Sequence, residues 1–150
     1  MAKIGKLVRE VEIKSDINLV YEIYKHKPNN STVIGPIQGC DLVSAQWGGS
    51  GFVILWRFIH SGKVESAKEM VEEVDDELHK IVFQGDWRSV GEMYSLLILT
   101  INIEDMGHKK LVIWTMEFEK VNAHIPDPTP YLDLLCVVVG DMAANFLKRL

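Results

Sequence analysis

The chain has 150 residues, 47% hydrophobic and 25% charged, which is the composition of an ordinary globular domain. A net charge of −5 disfavours nucleic acid and anionic membranes as main partners, because phosphate surfaces bind basic proteins. We find no signal-peptide pattern and no apolar run of membrane-spanning length. Cys40 and Cys136 form no CxxC pair, which indicates buried free thiols. We therefore expect one cytoplasmic domain over 1–150.

Most of the chain alternates between apolar and polar residues, which predicts strands separated by turns. The expected strands cover 6–14, 40–47, 52–60, 63–75, 80–84, 93–103 and 110–121. A short helix is expected over 17–26, where Ser15-Asp16 can cap the first turn, and a further helical turn within 31–38. Residues 85–91 are expected to form a loop.

Residues 129–150 predict one long amphipathic helix, with Thr129 as its cap and Pro130 at its first position. Its apolar stripe consists of Leu132, Leu135, Cys136, Val139, Ala143, Phe146, Leu147 and Leu150. Three consecutive β-branched valines, 137–139, favour a strand locally, so this helix depends on packing against the rest of the chain. The element order indicates an α+β fold in which a curved sheet packs on the helix.

Two hairpins fix which side chains share a face of the sheet. A two-residue loop at Ser61-Gly62 pairs His60 with Lys63 and Ile54 with Glu69. A four-residue loop at 106–109 pairs Ile103 with Val112 and Leu97 with Phe118. The bulky residues of both hairpins then face the helix. They either fill the core or line a cavity.

Two titratable residues share this inner face. Glu69 lies on an aromatic surface, where desolvation would raise its pKa toward general acid–base use. The alternative is a structural role, in which Glu69 pairs with an inward group or with water. His60 is expected at the cavity rim as a proton shuttle or a structural hydrogen-bonding group, and Glu65 is expected in solvent. No histidine spacing indicates a metal site.

Several motifs in the chain resemble the major latex protein branch of the Bet v 1 / pathogenesis-related class 10 superfamily of plants. They follow the family's order over nearly the whole chain: Gly5-Lys6-Leu7, His26-Lys27-Pro28, 37–42 (IQGCDL), Trp47-Gly48, Trp56, 60–63 (HSGK), Ala67-Lys68-Glu69, 114–120 (WTMEFEK) and 126–128 (PDP). The resemblance implies a seven-stranded antiparallel sheet around a long C-terminal helix, with two short helices and an internal hydrophobic cavity.

The resemblance also implies binding of apolar metabolites of the lipid, steroid, flavonoid or alkaloid class, in a carrier or defence role. The expected ligand-binding residues are Ile54, Trp56, Phe58, Glu69, Leu99, Ile101, Trp114, Met116, Phe118, Leu135 and Val139. We expect a monomer or weak dimer with no cofactor. The alternative is an isomerase or cyclase of specialised metabolism that uses Glu69 and His60 as acid–base groups.

Two other activities of the superfamily are disfavoured by residue changes. Members proposed as ribonucleases carry a lysine after the glycine-rich loop, and the corresponding position here is Leu55. The loop itself, 48–51, lacks the Gly-Lys-Ser/Thr ending of a nucleotide-binding loop. Condensing members carry an inward lysine on the penultimate long strand. The inward residues of 110–121 contain no amine, which disfavours an imine mechanism.

Overall fold

The computed structural model describes residues 3–26, 37–44, 53–60, 62–86 and 93–149. Their elements follow the order strand, helix, six strands, helix. They are β1 (Ile4–Ile13), α1 (Ile17–His26), β2 (Ile37–Ser44), β3 (Val53–His60), β4 (Lys63–Asp75), β5 (Lys80–Asp86), β6 (Tyr94–Asp105), β7 (Lys110–Lys120) and α2 (Thr129–Arg149). The expected α+β fold is confirmed.

The seven strands form one antiparallel sheet in the order β1-β7-β6-β5-β4-β3-β2. Strands β2 to β7 follow each other as neighbours, and β1 adds to the β7 edge. Of the two expected short helices, α1 is confirmed at the predicted bounds. The turn expected within 31–38 falls mainly outside the described residues, and its last two positions belong to β2.

Both hairpin registers are confirmed. Ile54 pairs with Glu69 across the first hairpin, and Leu97 pairs with Phe118 across the second. Gly62 and Gly107 lie in the two loops with φ of 75° and 86°, a backbone conformation that favours glycine. Loop length therefore set the register, and the register set which residues face α2.

Some strand ends differ from the expectation because pairing extends them. The residues expected to begin a loop after 84 instead continue β5, where Gly85 pairs with Glu69 and Asp86 with Lys68 of β4. Likewise, β6 runs to Asp105, which pairs with Lys110. Hydrogen bonding to a neighbouring strand outweighed the local turn preference of these residues.

The glycine of the Gly5-Lys6-Leu7 motif is required by the packing around it. Gly5 pairs with Phe118, and a Cβ on Gly5 would collide with the Phe118 ring. The ring lies over the glycine, and its edge meets Tyr94 with ring centroids 6.3 Å apart. The missing side chain at position 5 thus makes room for a core aromatic residue.

Helix α1 is capped and anchored by polar contacts. Asp16 Oδ1 accepts a hydrogen bond from the Asn18 backbone N–H at 2.7 Å, which confirms the expected cap. The neighbouring Ser15 has a different role, because its buried hydroxyl donates to the Ala143 carbonyl of α2. Further along α1, Tyr21 donates to Asp76 of the β4–β5 turn at 2.7 Å.

Helix α2 packs on the inner face of the sheet, although its valine run favours a strand locally. Among its described side chains, the buried ones are Tyr131, Leu132, Val138, Val139 and Ala143. The predicted stripe is confirmed at Leu132, Val139 and Ala143. It omitted Tyr131 and Val138, and it included Leu135 and Cys136, which are only half-buried. The side chains at 146, 147 and 150 lie outside the described part. Within the described part, no helix is long and apolar enough to cross a membrane.

Candidate functional site

A pocket of about 40 Å³ lies between the inner face of the sheet and the first half of α2. Residues from five strands, α1 and α2 form its walls. They are Tyr24, Trp56, Phe58, Ala67, Glu69, Phe83, Leu99, Trp114, Leu134, Leu135 and Val138. The volume corresponds to roughly three water molecules.

The residues expected to bind a ligand divide into two groups. Six of them line this pocket: Trp56, Phe58, Glu69, Leu99, Trp114 and Leu135. The other five are buried in the surrounding core rather than in the pocket wall: Ile54, Ile101, Met116, Phe118 and Val139. The sheet register therefore identified the face of the sheet on which the pocket lies. The position of the pocket along that face depends on where the helices cross it.

The pocket also contains residues absent from the expected set. Tyr24 reaches it from α1, and Phe83 reaches it from β5, where it pairs with Leu99. Ala67 could have been found from the sequence, because the hairpin register puts it on the same face as Glu69. The four-residue turn 76–79 pairs Asp75 with Lys80, but an irregularity between Val71 and Glu73 shifts the register before Phe83, so loop length alone does not place this residue.

Glu69 is the acidic side chain in the pocket wall, and it is only 5% exposed. The Trp56 indole N–H donates a hydrogen bond to its carboxyl group, while its Oε2 has no partner among the described residues. Burial raises the pKa of Glu69 to about 8, and the hydrogen bond from Trp56 only partly opposes this effect. At neutral pH this carboxyl group is therefore mainly protonated.

Two further polar atoms of the pocket wall are buried without a hydrogen-bond partner in the described structure. They are the Tyr24 hydroxyl and the Trp114 Nε1–H. The two rings meet edge to face, with centroids 5.7 Å apart. Burial raises the pKa of Tyr24, and the nearby Glu69 carboxyl raises it further. Buried polar groups are nearly always paired, so three unpaired groups in one pocket need an explanation.

The second acid–base candidate, His60, ends β3 opposite Lys63, and its side chain lies outside the described part of the chain. The expectation that Glu65 is solvated is wrong, since its Oε2 is buried. The described residues contain no cluster of His, Cys, Asp or Glu able to hold a metal ion. Cys136 of α2 is a half-buried free thiol.

The comparisons with known proteins agree with this fold. The pathogenesis-related protein Bet v 1 family matches residues 2–149. MLP-like protein 31 of Arabidopsis thaliana is 30% identical over 149 residues, which cover 97% of this chain and 87% of that protein. MLP-like protein 28 of the same plant is 31% identical over 141 residues, covering 91% of this chain, but the chain spans only 42% of that relative's length.

A solved structure gives the same result. The crystal structure of major latex-like protein 151 from Panax ginseng superposes with a TM-score of 0.89 at 31% sequence identity. The match covers 96% of this chain and 98% of the ginseng chain. The chain thus belongs to the Bet v 1 family and is homologous to its MLP-like and major latex proteins.

Proposed function

We propose that the chain binds hydrophobic small molecules of the lipid, steroid, flavonoid or alkaloid class between the sheet and α2. The observation that carries this proposal is the set of three unpaired polar groups, on Tyr24, Glu69 and Trp114, inside an otherwise apolar pocket. Small-molecule sites combine such an apolar lining with a few polar groups. A metabolite-carrier or defence role in the cytoplasm agrees with the family but stays a prediction.

Binding of a fused-ring or long-chain molecule requires the pocket to expand. Its volume of about 40 Å³ is far below the roughly 300–1,000 Å³ of ligand sites. The α2 segment above it, from Leu134 to Val138, is about 8 Å long and about 10 Å wide. An outward shift of about 4 Å over that area opens roughly 300 Å³. The proposal therefore includes a movement of α2.

The packing of this segment is consistent with such a movement. Leu134 and Leu135 are only half-buried, and Val137 is 52% exposed. Asp133 at its start reaches Arg9 of β1 at 3.8 Å, an exposed ion pair that contributes little to stability. The Ser15 contact lies further along α2, at Ala143, so it holds the helix beyond the pocket.

Ligand binding can be tested with an uncharged dye, N-phenyl-1-naphthylamine. Binding is followed by the fluorescence of the dye and by the tryptophan emission of the protein, to which two pocket tryptophans contribute. We expect the purified chain to bind the dye and to release it when an apolar metabolite is added. Mass spectrometry of an organic extract of the purified protein should identify a copurified compound. A chain that takes up no dye and yields no compound would refute the proposal.

A matched pair of variants locates the binding site. Leu135→Phe adds a ring to the pocket wall, and Val137→Phe adds the same ring to the exposed face of the same helix. We expect Leu135→Phe to weaken dye binding at least about tenfold and Val137→Phe to leave it within twofold. Equal effects of the two changes would place the bound dye outside this pocket.

The alternative function, an isomerase or cyclase, is favoured by one observation. A carboxyl group that is protonated at neutral pH in an apolar pocket can act as a general acid. The test incubates the copurified compound with the chain and measures any isomer or ring-closed product. Turnover that persists in both Glu69→Gln and His60→Ala would exclude this mechanism.

A further inference from the structure

We propose that the pocket selects uncharged ligands with a hydroxyl group, and that this hydroxyl occupies the space between Tyr24, Glu69 and Trp114. The inference rests on the proposed ligand binding and narrows its ligand class. It depends on the hydrogen-bonding chemistry of these three groups and on the charge of the pocket wall.

The three groups differ in what they offer to a ligand. The Trp114 indole can only donate, while the Tyr24 hydroxyl can donate or accept. Glu69 Oε2 accepts when the carboxyl is ionised and can donate when it is protonated. A ligand hydroxyl both donates and accepts, so it can accept from the Trp114 indole or from the protonated Glu69 carboxyl and donate to the Tyr24 hydroxyl. A carbonyl accepts only, and a hydrocarbon leaves all three groups unpaired.

The charge of the wall disfavours anionic ligands. Among the described residues that line the pocket there is no Lys, Arg or His, and the one ionisable acid is Glu69. A ligand carboxylate would therefore leave water without a countercharge, beside a group that repels it when ionised. Fatty acids in their ionised form should consequently bind worse than alcohols of the same size.

Three naphthalene compounds test this selection, with titration calorimetry at pH 6.5. They are 2-naphthol, which carries the hydroxyl, naphthalene, which carries no oxygen, and 2-naphthoate, which carries a carboxylate. We expect 2-naphthol to bind roughly tenfold more tightly than naphthalene, and 2-naphthoate to bind most weakly. This comparison uses the unsubstituted chain, so it does not depend on whether any variant folds.

Variants then identify the groups that recognise the hydroxyl. Tyr24→Phe and Trp114→Phe each keep an aromatic ring and remove one polar group, so the preference for 2-naphthol should fall about three- to tenfold in each. Tyr21→Phe is the control. It removes a hydroxyl from the same helix, but one that is bonded to Asp76 outside the pocket wall. The preference should stay unchanged in this variant.

The outcomes separate this inference from the proposed function. Equal binding of 2-naphthol and naphthalene, or tightest binding of 2-naphthoate, would overturn the hydroxyl selection and leave ligand binding intact. A preference that Tyr21→Phe lowers as much as Tyr24→Phe does would overturn the placement of the hydroxyl. If none of the three compounds binds, the proposed function and the inference both fail.

Discussion

Replacing Glu69 with glutamine should change how the stability of the protein depends on pH. The carboxyl has an ordinary pKa of 4.5 and a pKa of about 8 in the folded chain. The unfolded chain therefore releases this proton at a lower pH than the folded chain does. The stability that the protonated Glu69 carboxyl contributes is complete below pH 4.5 and is lost as the pH rises toward 8.

The size of the effect follows from the two pKa values. Stability falls by about 1.4 kcal/mol per pH unit between them, which gives roughly 5 kcal/mol over the whole interval. Between pH 5.0 and 7.5 the unsubstituted chain should lose about 3 kcal/mol relative to Glu69→Gln, which cannot ionise at this position. With a urea m-value of about 2 kcal/mol/M, the midpoint difference changes by about 1.5 M.

The assay is urea unfolding followed by tryptophan fluorescence at five pH values from 5.0 to 8.0. Taking the difference between the two proteins cancels the titration of all groups that they share. Glu72→Gln serves as the control, because Glu72 is exposed on the same strand. Parallel pH profiles for the unsubstituted chain and Glu69→Gln would refute the argument that burial keeps this carboxyl protonated.

Substitutions at three further positions test contacts that stabilise the fold, each by urea unfolding. Gly5→Ala should destabilise the chain by about 1–3 kcal/mol, because its Cβ collides with the Phe118 ring; an unchanged midpoint would show that the ring moves freely. Ser15→Ala should cost about 1 kcal/mol by removing the buried hydrogen bond to Ala143, and Ser15→Thr, which keeps the hydroxyl, should lose less. Asp16→Ala should cost about 1 kcal/mol by removing the cap of α1, whereas Asp16→Asn should restore most of it.

The sequence predicted the parts of the fold that short-range geometry determines. Two hairpin loops placed Ile54 opposite Glu69 and Leu97 opposite Phe118, since a tight loop permits one register. It also predicted α1 at its observed bounds. The position of Glu69 on the inner face of the sheet followed directly from the register of the first hairpin.

The sequence could not predict features that depend on how distant elements cross. A helical wheel assigned α2 a narrow stripe, yet Leu134 and Val138 also face the pocket because the curved sheet contacts a wider part of the helix. Tyr24 reaches the pocket only because α1 packs over the sheet. The small volume of the pocket depends on the helix-to-sheet spacing, which no strand pattern determines.

The narrow space under α2 has a consequence for the kinetics of uptake. Suppose that the open form, in which α2 is displaced, makes up about 1% of the molecules. The apparent affinity for the ligand is then about a hundredfold weaker than the affinity of the open form itself. The observed association rate should then reach a plateau at high ligand concentration, set by helix displacement rather than by diffusion. Stopped-flow recording of tryptophan emission, to which the pocket residues Trp56 and Trp114 contribute, would measure that opening rate.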